Sequence, residues 1–261
     1  MKNSNKILST LIIAILLCCA TTASTYAAQG SSWYVRRNGN LRPDFPGDAE
    51  TISEYGCYYV DTSLTDTSEE KRIYLTFDVG YENGNVSKIL DVMREEGVVG
   101  AFFILENLIT QNPELVRRMY NEGHLVCNHT AHHKDLSRCD TTTVCNELTI
   151  LSEAYYSLIG EQMPKYFRFP EGKYSVESVK AVNDLGYKSV FWSFGYEDWD
   201  NARQPSEDYA IRKILTNTHN GAVILLHPTS ATNAAIMRRL ISEWRNMGYS
   251  FGTLDELTAK H

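Results

Sequence analysis

The sequence contains little proline and no excess of positive charge. Only 7 of its 261 residues are proline and 16 are glycine, while 11% are aromatic. This composition excludes collagenous, coiled-coil and disordered chains, and it fits one globular domain. The 25 Lys and Arg residues are outnumbered by 32 Asp and Glu residues, which gives a formal net charge of −7. Because nucleic-acid binding proteins usually present a basic face, we expect no nucleic-acid partner.

Cysteines are few, and they are not arranged in the closely spaced pairs of a zinc cluster. Beyond residue 28 they are scattered along the chain, at Cys57, Cys127, Cys139 and Cys145. This spacing disfavours a zinc site built from cysteine. Disulfides, with Cys139 and Cys145 closest in sequence, and free buried thiols both remain open.

The first 28 residues have the pattern of a secretory signal peptide. Lys2 and Lys6 precede an apolar run over residues 7–20, and small residues follow as far as Ala28. A basic start, a short apolar stretch and a small-residue exit are typical of a cleaved leader. The apolar run is short for a membrane anchor, which needs about 20 residues. We therefore predict an exported, extracytoplasmic protein with no stable membrane span after processing.

Two regions of different pattern follow the leader. Residues 29–70 contain many turn residues and predict an irregular N-terminal extension, whereas residues 71–261 form the catalytic domain in our interpretation. The predicted strands of this domain cover residues 72–78, 98–105, 125–129, 166–170, 189–194, 222–227 and 250–253. Helix-like segments alternate with them, and this alternation predicts an α/β fold with a parallel sheet and right-handed crossovers. A barrel and a doubly wound sheet both satisfy the pattern.

Five of the predicted strands end in polar clusters. The residues concerned are Asp78, His129, Arg168 with Pro170, Asp198 with Trp199, and His227. In a parallel barrel the carboxyl ends of all strands lie on one face, where catalytic groups collect. A pocket that holds two acids, an arginine and several imidazoles is typical of a metal-assisted hydrolase rather than a binding module. His129 and His133, four residues apart, can face one zinc, iron or cobalt ion.

These positions resemble the five sequence motifs of the polysaccharide deacetylases, the NodB-like carbohydrate esterases. Residues 76–80, 129–133, 168–172, 198–199 and 225–227 match the motifs in family order. The resemblance extends over residues 72–257, and it implies a distorted (β/α) barrel of about seven parallel strands. Residues 81–84, together with residues 55–60, further resemble the branch of muramic δ-lactam de-N-acetylases.

The resemblance also implies a catalytic role for each polar residue. Asp78 would be the general base for the attacking water, and His227 would be the general acid for the departing sugar amine. Arg168 would keep Asp78 ionised and oriented, since an opposite charge lowers the pKa of a carboxyl group. Asp198 would keep the imidazolium of His227 available.

Metal and substrate contacts follow from the same resemblance. His129 and His133 would hold a divalent metal, with zinc as the first choice and cobalt or manganese as alternatives. A backbone N–H at or near Tyr81 would stabilise the oxyanion. Sugar contacts are expected from Trp199, Tyr174, Tyr81 and Pro170, because aromatic rings offer flat apolar surfaces.

The chain departs from the family pattern at two motifs. Val79 stands where the first motif usually carries a second acid, which is the third metal ligand in the family. Valine cannot coordinate, so we expect the metal to be held weakly. Phe169 and Glu171 also depart from the third motif, which affects the shape of the groove near Arg168.

The resemblance implies an exported enzyme that acts in the cell wall or spore cortex, with peptidoglycan glycan strands as its partner. The first hypothesis is that it removes acetyl groups from N-acetylmuramic acid, in the pathway to the muramic δ-lactam of the cortex. The second is that N-acetylglucosamine or a chitooligosaccharide is deacetylated by the same mechanism. A non-catalytic glycan-binding relic, suggested by Val79, is the third. We expect a monomer.

Overall fold

The computed structural model of the protein describes residues 30–259. The predicted signal peptide at residues 1–28 lies outside the described residues. Between residues 30 and 259, no helix combines the length and the apolar character that a membrane crossing requires.

The fold is built on one large sheet of short strands. The strands of the described chain are β1 Ser31–Ser32, β2 Cys57–Tyr58, β3 Arg72–Val79, β4 Ala101–Ile104, β5 Leu125–Asn128, β6 Tyr166–Phe167, β7 Lys173–Tyr174, β8 Lys188–Val190, β9 Ala222–Leu226 and β10 Ser250–Phe251. Seven of them follow one another in the order β10-β3-β4-β5-β6-β8-β2, and β9 pairs with β3 beside this path. All pairings in this sheet are parallel. β1 and β7 form a separate antiparallel pair.

The sheet curls into the distorted barrel that the resemblance implied. Ile224 of β9 forms a parallel bridge with Phe194, in the segment that follows β8, and this bridge brings the two sides of the sheet together. β4 and β9 are buried along their whole length, as expected for parallel strands that are covered on both faces. The predicted α/β architecture is therefore confirmed.

Helices connect the strands and cover the outside of the sheet. They are α1 Asn85–Glu96, α2 Glu106–Gln111, α3 Pro113–Asn121, α4 Thr141–Ile159, α5 Val176–Asp184, α6 Glu207–Leu215, α7 Ala231–Asn246 and α8 Leu254–Thr258. α1 ends at Gly97, which adopts the left-handed conformation (φ 63°) that terminates many helices. The strand predicted over residues 166–170 is shorter, because Pro170 has no N–H to donate to a neighbouring strand and begins a 3-10 turn instead.

The N-terminal region is mostly irregular, but it packs as part of the barrel wall. The ring of Trp33 stacks on Phe191 with centroids 4.3 Å apart, and its Nε1 donates a hydrogen bond to the carbonyl of Trp192 at 2.9 Å. β2 pairs in parallel with β8 at the end of the large sheet. Residues 30–70 therefore support the strands that carry the polar clusters.

Candidate active site

The carboxyl ends of the parallel strands surround a cavity of about 640 Å³. Asp78 belongs to β3, His129 follows β5, and His227 follows β9. The polar or aromatic side chains lining the cavity include Asp78, Tyr81, His129, His133, Glu171, Trp192, Trp199 and His227. The structure thus brings together side chains that are about 150 residues apart in sequence, as expected for the catalytic face of a parallel barrel.

Arg168 lies beneath Asp78 and fixes its carboxylate. The fully buried guanidinium donates one hydrogen bond from Nη1 to Asp78 Oδ1 at 2.9 Å. Its other donors reach Thr76 Oγ1 at 2.8 Å and the carbonyl of Val190 at 2.9 Å. Burial alone would raise the pKa of Asp78, but the charge of Arg168, followed by those of His129 and His227, lowers it overall. Asp78 is therefore ionised at neutral pH, and Oδ2 is its cavity-facing oxygen.

His129 is held as a neutral imidazole with one nitrogen directed at the cavity. Its Nδ1 lies 2.8 Å from the carbonyl oxygen of Arg168, and a carbonyl can only accept, so Nδ1 carries the proton. Burial lowers the pKa of His129 to about 4. The lone pair of Nε2 is left 3.6 Å from Asp78 Oδ2. Two acceptors that face each other in this way favour a cation between or beside them.

The loop that carries His133 has an unusual backbone conformation. Thr130 and His133 have φ angles of 72° and 54°, a region that residues with a side chain seldom adopt. His133 lies beside His129, with ring centroids 5.1 Å apart. The strained backbone turns both imidazoles toward the same cavity.

Glu147 of α4 holds this loop in place. Its buried carboxylate accepts hydrogen bonds from the backbone N–H of His132 at 3.0 Å and from His132 Nδ1 at 3.1 Å. Its backbone carbonyl accepts a third, from the N–H of Ala131 at 3.1 Å. Contacts of this kind behind a loop that carries candidate metal ligands fix the orientation of those side chains.

We predict that Glu147→Gln weakens divalent-metal binding by about tenfold, because an amide keeps the shape of the side chain but loses charge-assisted acceptance from His132. The dissociation constant can be measured by competition with a chromophoric chelator. Glu153→Gln, an exposed position on the same helix, is the matched control. An unchanged dissociation constant in the Glu147 variant would contradict the supporting role.

His227 and Asp198 form a second coupled pair, at the end of β9, which lies beside β3. Asp198 Oδ1 lies 2.7 Å from His227 Nδ1, and Oδ2 accepts the backbone N–H of His227 at 2.8 Å. Asn233 Nδ2 also donates to Oδ2, at 2.6 Å. Burial alone would lower the pKa of His227, but the charge and hydrogen bond of Asp198 outweigh it and the pKa is raised. His227 can therefore carry a proton near neutral pH.

The predicted sugar-contacting residues divide into two groups. Trp199 and Tyr81 line the cavity and are 58% and 45% exposed, so their rings are accessible to a ligand. Tyr174 is only 2% exposed and packs edge-on against Phe191, with centroids 5.7 Å apart. Pro170 is also buried. Tyr174 and Pro170 therefore belong to the core beneath the groove, which corrects the expectation that they touch a sugar.

Three contributors were not predicted from the sequence. Thr76 and Glu147 support the site through hydrogen bonds, and Asn233 binds Asp198 from α7. Thr76 could have been noticed because it stands two residues before Asp78 on the same strand, so both side chains point to the same face. Asn233 and Glu147 lie on helices and show no pattern that separates them from surface polar residues.

The donor set fits a divalent metal held by two imidazoles. Neutral histidine nitrogens are ligands that zinc and related metals prefer, and the lone pair of His129 Nε2 faces the cavity beside His133. Within the described part of the chain, no set of three or more His, Cys, Asp or Glu residues is arranged for metal binding. Val79 is the apolar neighbour of Asp78 in the cavity wall. Valine supplies no third protein ligand for a metal, so solvent or substrate would have to take that place.

Known proteins share both the sequence and the fold. Residues 65–190 match the family described as polysaccharide deacetylase. The peptidoglycan-N-acetylmuramic acid deacetylase PdaA of Bacillus subtilis (strain 168) is 34% identical over 251 residues, which are 93% of this chain and 94% of that protein. A chitooligosaccharide deacetylase of Bradyrhizobium sp. (strain ANU 289) is 35% identical over 65% of this chain and 76% of its own length.

The solved structure of Bacillus subtilis PdaA, a family 4 carbohydrate esterase, superposes with a TM-score of 0.82 at 35% identity. The match covers 88% of this chain and 97% of that one. Sequence identity over nearly the full length therefore coincides with a shared barrel. The chain belongs to the polysaccharide deacetylase family.

Proposed function

We propose that the protein is a peptidoglycan deacetylase that hydrolyses the acetamide of N-acetylmuramic acid. The observation that carries this proposal is the meeting of two coupled pairs, Asp78 with Arg168 and His227 with Asp198, in one cavity. The choice of sugar is supported by the extent of the similarity. The alignment with the muramic acid deacetylase covers 93% of this chain, whereas the alignment with the chitooligosaccharide deacetylase covers 65%.

Asp78 acts as the general base in this proposal. Its Oδ1 is occupied by Arg168, so Oδ2 is the oxygen that can accept a proton from the attacking water. Because Arg168 lowers the pKa of Asp78, the carboxylate is available in its basic form at neutral pH. General-base catalysis of this kind contributes about 10²- to 10⁴-fold to a rate.

His227 acts as the general acid. Its Nδ1 is held by Asp198, which leaves Nε2 to deliver a proton to the departing sugar amine. An amine leaves as a neutral molecule only if it is protonated when the C–N bond breaks, so this step completes the hydrolysis to acetate and the free amine. Leu105, Leu225 and Val79 form an apolar part of the cavity wall that suits the methyl group of the acetyl.

A divalent metal completes the proposed chemistry. Deacetylases of this family generally depend on such a metal, and here His129 and His133 would hold it, with zinc favoured over cobalt or manganese. When bound, it polarises the acetamide carbonyl and lowers the pKa of water. The backbone N–H near Tyr81 would add a donor for the oxyanion.

We predict that Val79→Asp tightens metal binding by at least about tenfold, since it adds a carboxylate next to two imidazoles. Metal affinity is measured by chelator competition, with Val79→Asn as a control of similar shape that adds no charge. Dialysed wild-type protein is expected to retain little metal. A tightly held stoichiometric metal in the wild type, or equal affinity in the Asp and Asn variants, would contradict the placement of the site.

The substrate test compares acetate release from three glycans. We expect release from peptidoglycan to rise after an amidase has removed the stem peptides, because a muramic acid deacetylase needs the free lactyl group. Mass spectrometry of the muropeptides should locate the lost acetyl on muramic acid. Equal or faster release from a chitooligosaccharide would favour the glucosamine alternative, and no release with any divalent ion would favour a glycan-binding relic.

We further propose that the protein acts outside the cytoplasm, in the cell wall or spore cortex, on the path to the muramic δ-lactam. The Bacillus subtilis relative that aligns with 93% of this chain is named as a peptidoglycan deacetylase, and peptidoglycan lies outside the cytoplasm. The signal-peptide pattern of residues 1–28 agrees with export. Fractionation of cells that produce the full-length chain tests this location. Retention of the uncleaved chain in the cytoplasm would contradict it.

A further inference from the structure

A second cavity, of about 820 Å³, adjoins the catalytic one. Trp199 lines both cavities. A linear ligand can therefore extend from one cavity into the other along the indole ring of Trp199. The rest of the second cavity is formed by Arg37, by residues around the start of α6, and by the loop that follows Trp199. None of the residues with a proposed catalytic role lines this second cavity.

Positive charge in this second cavity is not neutralised. Arg203 forms an ion pair with Asp200 at 2.8 Å. Arg37 and Lys213 also line the cavity, and no carboxylate of the described chain lies within 4.0 Å of either group. Glu197 is the remaining acid of the wall, so the cavity carries a net positive charge.

Arg37 is held in position by the protein. The guanidinium of Arg37 donates to the carbonyl of Gly195 and lies over the ring of Phe194, 5.2 Å from its centroid. Because this side chain is already oriented, its binding to an anion costs less conformational entropy. Lys213 Nζ lies 5.9 Å from the ring centroid of Tyr209, one turn earlier on α6, and adds a second positive charge to the cavity.

Aromatic rings follow the path between the two cavities. Tyr81 lines the catalytic cavity, Trp199 lines both and Tyr209 lines the second, and all three rings are exposed by 45% or more. The hydroxyl of Tyr81 accepts a hydrogen bond from Asn201 Nδ2 at 2.5 Å, which ties the two rims together. Three exposed aromatic rings at two adjoining cavities provide apolar faces that sugar rings can stack on.

We infer that the second cavity binds a carboxylate-bearing sugar of the same glycan strand whose acetylated sugar occupies the catalytic cavity. Arg37 and Lys213 would bind the carboxylate, and Trp199 and Tyr209 would contact the sugar faces. Muramic sugars from which the stem peptide has been removed carry a lactyl carboxylate, whereas chitooligosaccharides carry no carboxylate. This inference rests on the proposed function, and it adds a preference for long, anionic strands.

The test compares a peptide-free muramyl tetrasaccharide with the corresponding disaccharide. For Lys213→Ala, we expect KM for the tetrasaccharide to rise by about tenfold, the value of one charge-assisted contact. For Arg37→Ala/Lys213→Ala, which loses both contacts, we expect a rise of about a hundredfold, with kcat unchanged in both variants. KM for the disaccharide should stay constant, because it does not reach the second cavity.

The controls separate this site from a general effect. Arg117→Ala removes an exposed cation on α3 and should change neither KM. The single variant Lys213→Ala guards against misfolding caused by the Arg37 substitution, because the Lys213 ammonium has no hydrogen-bond partner among the described residues and contacts only the ring of Tyr209. Equal changes for both substrates, or none, would overturn the inference. If no substrate releases acetate, the proposed function fails. Calorimetric binding of the tetrasaccharide then tests the second cavity by itself. Equal affinities of the wild type and the double variant would overturn the second site as well.

Discussion

Asp78→Asn is expected to lower kcat/KM for acetate release by about a thousandfold or more. Asparagine keeps the size and one oxygen of the side chain, but it cannot accept a proton from water. Loss of a general base costs about 10²- to 10⁴-fold, and the variant also leaves the buried guanidinium of Arg168 without its carboxylate partner. Initial rates of acetate release at saturating divalent metal measure the effect.

Folding must be checked separately for this variant, because removing one partner of a buried ion pair destabilises a protein by about 3–5 kcal/mol. Circular dichroism below the melting temperature shows whether the variant is folded during the assay. Asp184→Asn, which disrupts an exposed ion pair with Lys180, is the matched control and should retain full activity. A folded Asp78 variant with more than a tenth of the wild-type rate would rule out this residue as the base.

Asp198→Asn is expected to lower kcat by about a hundredfold and to change the pH profile. Asp198 raises the pKa of His227, with a further contribution from Asp78, against the opposing effects of burial and Arg168. His227 must be protonated to act as an acid, so the rate is retained below its raised pKa and lost as pH rises through it. Without the Asp198 charge, the pKa of His227 is lower and that loss begins at lower pH.

The pH dependence of kcat/KM distinguishes this role from a structural one. A merely destabilised variant loses activity at every pH, whereas a variant in which the pKa of His227 is lowered retains more of its activity on the acidic side. Asp200→Asn is a suitable control, because Asp200 is close in sequence but pairs with Arg203 instead of His227. An alkaline limb at the same pH in wild type and Asp198 variant would contradict the proposed coupling.

Local sequence pattern was sufficient for the long elements but not for the short ones. α1 and α4 are evident in the sequence, since each shows several turns of periodicity and a clear end signal, such as the Asp140 cap that accepts from Thr143 N–H. α2 was missed because its six residues form too few turns to show a period. β2 was missed because two residues become a strand only through pairing with β8.

The strand-end residues of the site were predictable because strand topology alone directs them to one face. The supporting residues were not, since Asn233 and Glu147 reach the site from helices whose position depends on packing. Tyr174 shows the opposite error. It stands close to a family motif, but its ring is directed into the aromatic core with Phe169 and Phe191, and proximity in sequence did not reveal that direction.

Arg168 contacts both the proposed catalytic carboxylate and the strands that form the barrel. The same guanidinium that orients Asp78 also binds Thr76 of β3, Val190 of β8 and the carbonyl of Phe191. A gene copy released from selection for catalysis would therefore be expected to lose His227 early, while purifying selection for a soluble product continues to preserve Arg168. Retention of this arginine alone is consequently poor evidence that a diverged paralogue is still an enzyme.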